Sequence, residues 1–309
     1  MTRVVFMGTP RFGELVLSRL LEAYEVVGVV TRPDRRVGRG QSTAISPVKR
    51  LAQSHNLPIL QPTRLRSEAS IQLLRDRTPQ LIVVAAFGAI LPQPILDLPQ
   101  CGCINVHASL LPRHRGAAPI PAAILAGDQV AGITIMLMEA GLDTGPILSQ
   151  GSLSIEPEDT TRSLTEKLGV LGSQLLIATL PSWLAGQLKP IPQDDSQATY
   201  AGMIRHEDGH IQWSEPAEKI ARRCRAYDPW PGTFTFWQGQ LLKLISVEAV
   251  PSMAAPAPVG SVLATEEAIA VVTGQGLLVM NEIQLAGKKR MAAHTFARGQ
   301  RGFVGSVLC

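Results

Sequence analysis

Asn105 and His107 stand two residues apart in the run Cys101–Pro119, CGCINVHASLLPRHRGAAP. Side chains alternate along a β-strand, so both project from one face. One is a neutral amide that donates and accepts hydrogen bonds; the other titrates near neutral pH. Such a pair suits a carbonyl whose oxygen becomes negative during reaction. A third group lies farther along the chain: Asp143, in the glycine-bounded loop EAGLDTGPIL. Beside His107, its carboxylate would hold the ring in one orientation and favour its charged form. Singly, each residue has a plainer reading. A histidine after a strand is usually structural, and an aspartate between glycines is usually a turn former. It is their meeting at one sheet edge that would make a site.

The elements that must position them read as follows. Arg3–Met7 is a short apolar strand, Arg11–Ala23 has helical spacing, and Glu25–Thr31 is a second strand. This is a parallel βαβ opening. Its turn, Gly8-x4-Gly13, is not the G-x-G-x-x-G of a dinucleotide site. Helices are expected at 46–55 and 67–77, and a near-continuous apolar strand at 80–86, central in the sheet. Its loop, 87–92, and the end of the 102–107 strand then share the carboxyl edge, where open α/β sheets bind ligands. A helix over 117–126, strands over 132–138 and 147–155, and a long helix from about 160 complete the first part. Beyond residue 206 come a short basic helix and short strands separated by Gly and Pro, the pattern of a small β-barrel. The expected organisation is a first domain over 1–188, a polar, proline-containing linker over 189–206, and a second domain over 207–309.

The chain has 309 residues, 45% of them hydrophobic and 17% charged, which is ample for a core and argues against disorder. Net charge is +4, compatible with a nucleic-acid partner but no proof of one. Positive charge gathers between Thr31 and Arg50: Arg32, Arg35, Arg36, Arg39, Lys49 and Arg50 against the single acid Asp34; the plain reading of such a run is a solvated surface loop. Cys101, Cys103, Cys224 and Cys309 lack zinc-site spacing, and we read them as small buried residues of a reduced compartment. No apolar run reaches the roughly 18 residues of a membrane helix. The start, MTRVVFMGTP, is too quickly broken for a signal peptide. A cytoplasmic, membrane-free protein without a metal is expected; nothing demands more than a monomer.

Signatures along the chain resemble those of the folate-dependent formyltransferases, in particular the family acting on methionyl-tRNA. The pattern N-x-H-x-S-L-L-P-x-x-R-G-x-x-P runs from Asn105 to Pro119, and G-L-D-T-G from Gly141 to Gly145. FMGTPRF, RPDRRVGRG, SPVK, AFGAILP, YDPWPGTF and LAGKKRM also match, from residue 6 to residue 291. The departures are His114, where an aromatic such as Trp is common, and Pro121 and Ala122, where larger residues are common.

The resemblance implies a Rossmann-like, mostly parallel sheet with flanking helices, followed by an OB-like β-barrel that contributes to tRNA binding. It implies an enzyme moving a formyl group from 10-formyltetrahydrofolate to the α-amine of initiator methionyl-tRNA by direct amine attack, for translation initiation. Asn105, His107 and Asp143 would be catalytic. Phe87, Gly88, Ile90 and Leu91 would line the folate crevice, with Ser109, Leu110, Leu111 and Pro112 lying on the folate. Arg35, Arg36, Arg39 and Lys49 would meet the acceptor stem. Arg222, with its neighbours Arg223 and Arg225, and Lys288, Lys289 and Arg290 would add phosphate contacts. Two rivals remain: a formyltransferase for small amines, and a nucleic-acid-binding protein whose first domain has lost catalysis.

Overall fold

The computed structural model describes residues 2–37, 42–251, 257–265 and 268–309. The chain forms two compact units. The first comprises Met1–Ile120, Gln129–Ile155 and Ser163–Gly202; the second comprises Pro121–Asp128, Glu156–Arg162 and Met203–Cys309.

The first unit opens with β1 (Arg3–Gly8), α1 (Arg11–Leu21) and β2 (Glu25–Val30). A short ribbon follows, β3 (Arg35–Val37) against β4 (Ser42–Ala44), where the sequence suggested only a basic loop. Next come α2 (Pro47–Ser54), β5 (Ile59–Leu60), α3 (Glu68–Arg75), β6 (Leu81–Ala85), α4 (Gln93–Leu96) and β7 (Cys103–His107). Ser46 and Ser67 cap α2 and α3 through their hydroxyls, and Pro47 fills the first turn of α2, as the sequence pattern requires. The chain then runs through β8 (Arg115–Gly116), α5 (Pro119–Ala126, most of which groups with the second unit), β9 (Val130–Leu137), β10 (Ile147–Ser154), α6 (Thr161–Leu184) and β11 (Tyr200–Ala201).

Seven strands form one sheet in the order β10-β9-β7-β6-β1-β2-β5. Pairing is parallel from β7 to β5 and antiparallel where β9 meets β7 and β10. Every residue of β6 is buried, the signature of a strand covered on both faces. Val5, Met7, Ile82 and Val84 pack with Ile71, Leu74 and Ile95 on one side.

The segment 189–202, expected as a linker, groups with the first unit. Ile191 exchanges two backbone hydrogen bonds with Ile147 (2.7 and 2.8 Å), and β11 pairs in parallel with β8.

The second unit holds α7 (Ala217–Ala226), β12 (Thr233–Trp237), β13 (Gln240–Val250), β14 (Val262–Ala264), β15 (Ile269–Val272), β16 (Leu277–Leu285), β17 (Met291–Ala292) and α8 (Ala293–Gly299). Its strands make an antiparallel sheet, β12-β13-β16-β15-β14, with β17 also on β16. Trp237, Phe296 and Phe303 meet edge to face, with centroids 4.8–5.5 Å apart, a favoured aromatic geometry. Among the described residues no helix is long and apolar enough to cross a membrane. All four cysteines are unpaired. The buried reading holds for Cys103 and Cys224; Cys101 is half-buried and Cys309 is exposed.

Candidate active site

β7 lies between β6 and β9, with Asn105 opposite Val84 and Met136, and His107 opposite Thr134. Asn105 is half-buried and His107 is buried. Asp143 arrives in the loop between β9 and β10, with φ of +54°, a left-handed conformation that aspartate tolerates better than most residues. Gly145 lets that loop close tightly, because a Cβ there would sit 1.9 Å from the Leu137 carbonyl oxygen.

The three side chains meet. Asn105 Nδ2 donates to Asp143 Oδ1 at 3.3 Å. The backbone N–H of Gly116 donates to Asp143 Oδ2 at 2.8 Å. His107 Nδ1 lies 3.6 Å from Oδ2. This is ion-pair range for a protonated ring but too long for a strong hydrogen bond. The other ring nitrogen, Nε2, is 3.0 Å from the His114 carbonyl oxygen. A carbonyl only accepts, so that contact puts a proton on Nε2. Nδ1 is therefore the ring nitrogen that faces the carboxylate. Asn105 Nδ2 carries two hydrogens, and Asp143 takes one.

The loop 109–116 is bound from two sides. Thr134, fully buried, donates through Oγ1 to the Ser109 carbonyl (2.7 Å) and accepts from the Leu111 N–H (3.0 Å). Gln150 Nε2 donates to Leu111 O and to Thr134 Oγ1, each at 2.9 Å. On the other side the strap 193–201 holds it. Thr199 Oγ1 accepts from the His114 N–H (2.8 Å). The N–H groups of Arg115 and Ala117 donate to Thr199 O and Ala201 O. Gly116 has φ of +117°, and a Cβ there would lie 2.5 Å from Ala201 O, so only glycine allows this approach. Neither Thr134, Gln150 nor the strap was marked by the sequence. Their signals are ordinary polar residues without periodicity, and only the pairing partners give them meaning.

The expected folate residues divide. Phe87 and Leu91 are buried within the core under the sheet, whereas Gly88 and Ile90 are exposed, Ile90 at 63%. Ser109 Oγ donates to Arg113 O at 2.6 Å. Leu110 lies over Gly132, where a Cβ would be 2.4 Å from Leu110 Cδ2. Leu111 is buried and Pro112 half-buried.

The expected tRNA residues divide too. Arg35 and Arg36 lie on β3, paired with Ala44 and Thr43; Arg39 lies outside the described residues. Lys49 Nζ donates to Asp34 Oδ2 and to Gln61 Oε1 (2.8 Å), and this contact with Lys49, then that with Gln61, holds the Asp34 carboxyl below the usual range. Arg222 pairs with Glu218 at 3.7 Å and packs on Gly127. Arg223 pairs with Glu215 at 2.8 Å, and Arg225 donates to Asp159 O. Lys288 and Lys289 are exposed. Among the described residues no three His, Cys, Asp or Glu side chains gather as a metal-binding group.

The chain matches the formyl transferase family over residues 2–180 and the formyl transferase C-terminal domain over 203–301. A methionyl-tRNA formyltransferase of Roseiflexus castenholzii is 45% identical over 301 residues, covering 97% of this chain and 96% of the relative. That of Geobacillus thermodenitrificans is 48% identical over 302 residues, covering 97% and 94%. The chain belongs to the methionyl-tRNA formyltransferase family. HypX from Aquifex aeolicus, solved in complex with tetrahydrofolic acid, shares the fold at 16% identity with a TM-score of 0.64; the match covers 98% of this chain and 48% of that one. The family assignment accounts for the mixed sheet and for the antiparallel second unit.

Proposed function

We propose that this enzyme transfers the formyl group of 10-formyltetrahydrofolate to the α-amine of initiator methionyl-tRNA, giving N-formylmethionyl-tRNA. The observation that carries the reading is the Asp143 carboxylate held between the Asn105 amide, the Gly116 N–H and the His107 ring. The similarity to methionyl-tRNA formyltransferases over nearly the whole chain supports this acceptor.

The amine attacks the formyl carbon directly. A C–N bond forms, the carbonyl pair moves onto oxygen, and the amine proton passes towards Asp143. The second N–H of Asn105 and the Nδ1–H of His107 stabilise the oxyanion, each contributing about 10²–10³ in rate when the geometry is tight. Collapse breaks the bond to the folate nitrogen, which takes a proton, and releases tetrahydrofolate. The exposed Gly88 and Ile90, with Ser109, Leu110, Leu111 and Pro112, face the folate; Phe87 and Leu91 hold that loop from below. Arg35, Arg36, Arg39, Lys288 and Lys289 meet tRNA phosphates. Lys49 and Arg222 act on tRNA by fixing the elements that carry those residues. The last part, 207–309, is an OB-like barrel, the strap 189–202 belongs with the first part, and the enzyme is a cytoplasmic monomer.

The test is formyl transfer from 10-formyltetrahydrofolate to methionyl-tRNA beside amino sugars and small aminonucleotides. Transfer to methionyl-tRNA is expected. Transfer to small amines alone would reject the reading, and no transfer at all with tRNA binding intact would favour a binding protein.

A further inference from the structure

Outside the catalytic trio, Gln193 has four hydrogen bonds on a half-buried amide. Its Oε1 accepts from Arg115 Nε (3.0 Å) and Nη2 (2.8 Å). Its Nε2 donates to the carbonyl oxygens of Asp143 (2.8 Å) and Gly145 (2.6 Å). The orientation of the amide has no alternative: a guanidinium only donates and a carbonyl only accepts. Arg115 is itself buried, 2% exposed, and its Nη2 also reaches Asp195 Oδ1 at 2.7 Å. The amide thus joins the backbone of the Asp143 loop to the arginine of the catalytic loop. The next residue after that arginine, Gly116, supplies the N–H that holds Asp143 Oδ2.

We infer that Gln193 is a positioning residue for the Asp143 carboxylate. It ties the loop that carries the carboxylate to the loop that grips it, so that Asp143 stays in register with Asn105 and His107. Misplacing a reacting group by about 1 Å can cost 10²-fold. Aspartate at φ +54° needs such a restraint, because the surrounding structure must hold a sparsely populated conformation in place. The inference rests on the proposed chemistry for its kinetic readout but not for its spectroscopic one.

The variants are Gln193→Ala and Gln193→Glu in the full chain. For Q193A, kcat for formyl transfer is expected to fall about 10- to 100-fold, with KM for the folate and the melting temperature nearly unchanged. For Q193E, a carboxylate would face two carbonyl oxygens; protonated, it could donate as the amide does. Its activity relative to wild type should therefore recover as pH falls, with Arg115, Asp195 and Asp143 the charged neighbours on the interacting segments. The ring-nitrogen chemical shifts of His107, followed by NMR without substrate, should change in Q193A, because the carboxylate beside Nδ1 moves. Unchanged kcat, or unchanged His107 ring-nitrogen chemical shifts, would overturn the inference. So would equal losses in kcat, folate binding and melting temperature, the mark of a merely structural role. A wild-type enzyme that does not formylate methionyl-tRNA would sink the proposed function alone, leaving the NMR comparison to decide on Gln193.

Discussion

In the proposed reaction Asn105 and His107 would each offer the oxyanion one N–H, so deleting either would remove stabilisation that exists only in the transition state. Asn105→Ala and His107→Ala are each expected to lower kcat about 100-fold or more, with little change in tRNA binding. Single-turnover formylation and a filter-binding assay check both halves. Equal activity in either variant would remove the assigned role. At this scale the sequence was informative, because a period of two places Asn105 and His107 on one face without further knowledge. It was silent on the proton of His107. That depends on the carbonyl of His114, seven residues away, at a backbone φ of +57°. It was also misleading for the thiols. Burial pushes Cys103 up to about 12 and Cys224 up to about 11, but Cys309 is exposed. A thiol reagent near neutral pH should therefore label Cys309 first in the native protein, and Cys103 and Cys224 only on unfolding, as peptide mass spectrometry would read.

Among the elements, the basic insert shows how charge hides structure. Its arginines read as a solvated loop, yet Arg35–Val37 and Ser42–Ala44 pair as a ribbon. The root of the ribbon is fixed by Asp34, Lys49 and Gln61, and Gln61 Nε2 also donates to Arg32 O at 2.9 Å. Because the Asp34 carboxyl is held below its usual range, the stabilisation is present above the unfolded aspartate value, about 4. It is lost as pH falls through the lower folded value. Lys49→Met should reduce that part of the acid dependence, leaving the share that Gln61 supplies, measured as the urea midpoint against pH for variant and wild type. An identical acid limb in both would show the pair to be idle. Helix α2 was legible from Pro47 in its first turn and α3 from Ser67 at its cap. The strap 193–201 was not, since an extended segment bonded through backbone groups and one amide has no apolar period to read.

For the molecule as a whole, net charge is only +4, so affinity for a polyanion must come from where charge is placed. With Arg222 and Arg223 of α7 in ion pairs and Arg225 bonded to a backbone carbonyl, the exposed Lys288 and Lys289 are the better candidates in the second unit. Replacing both by alanine should reduce the salt slope of tRNA binding by up to about two without altering kcat at saturating tRNA; an unchanged slope would take them out of the interface. The two-part order of the chain was legible, from helices alternating with apolar strands followed by short strands between glycines and prolines. Where the parts divide was less so, because composition changes at residue 189 while packing changes after Gly202.

That offset has a practical side for anyone recombining related enzymes. A chimaera spliced at residue 188 would take its Gln193, Thr199 and Ala201 from the other parent. The cluster of Asn105, His107 and Asp143 would then be braced by borrowed sequence, although its own side chains came from this one. Splicing after Gly202 keeps brace and centre from one ancestor.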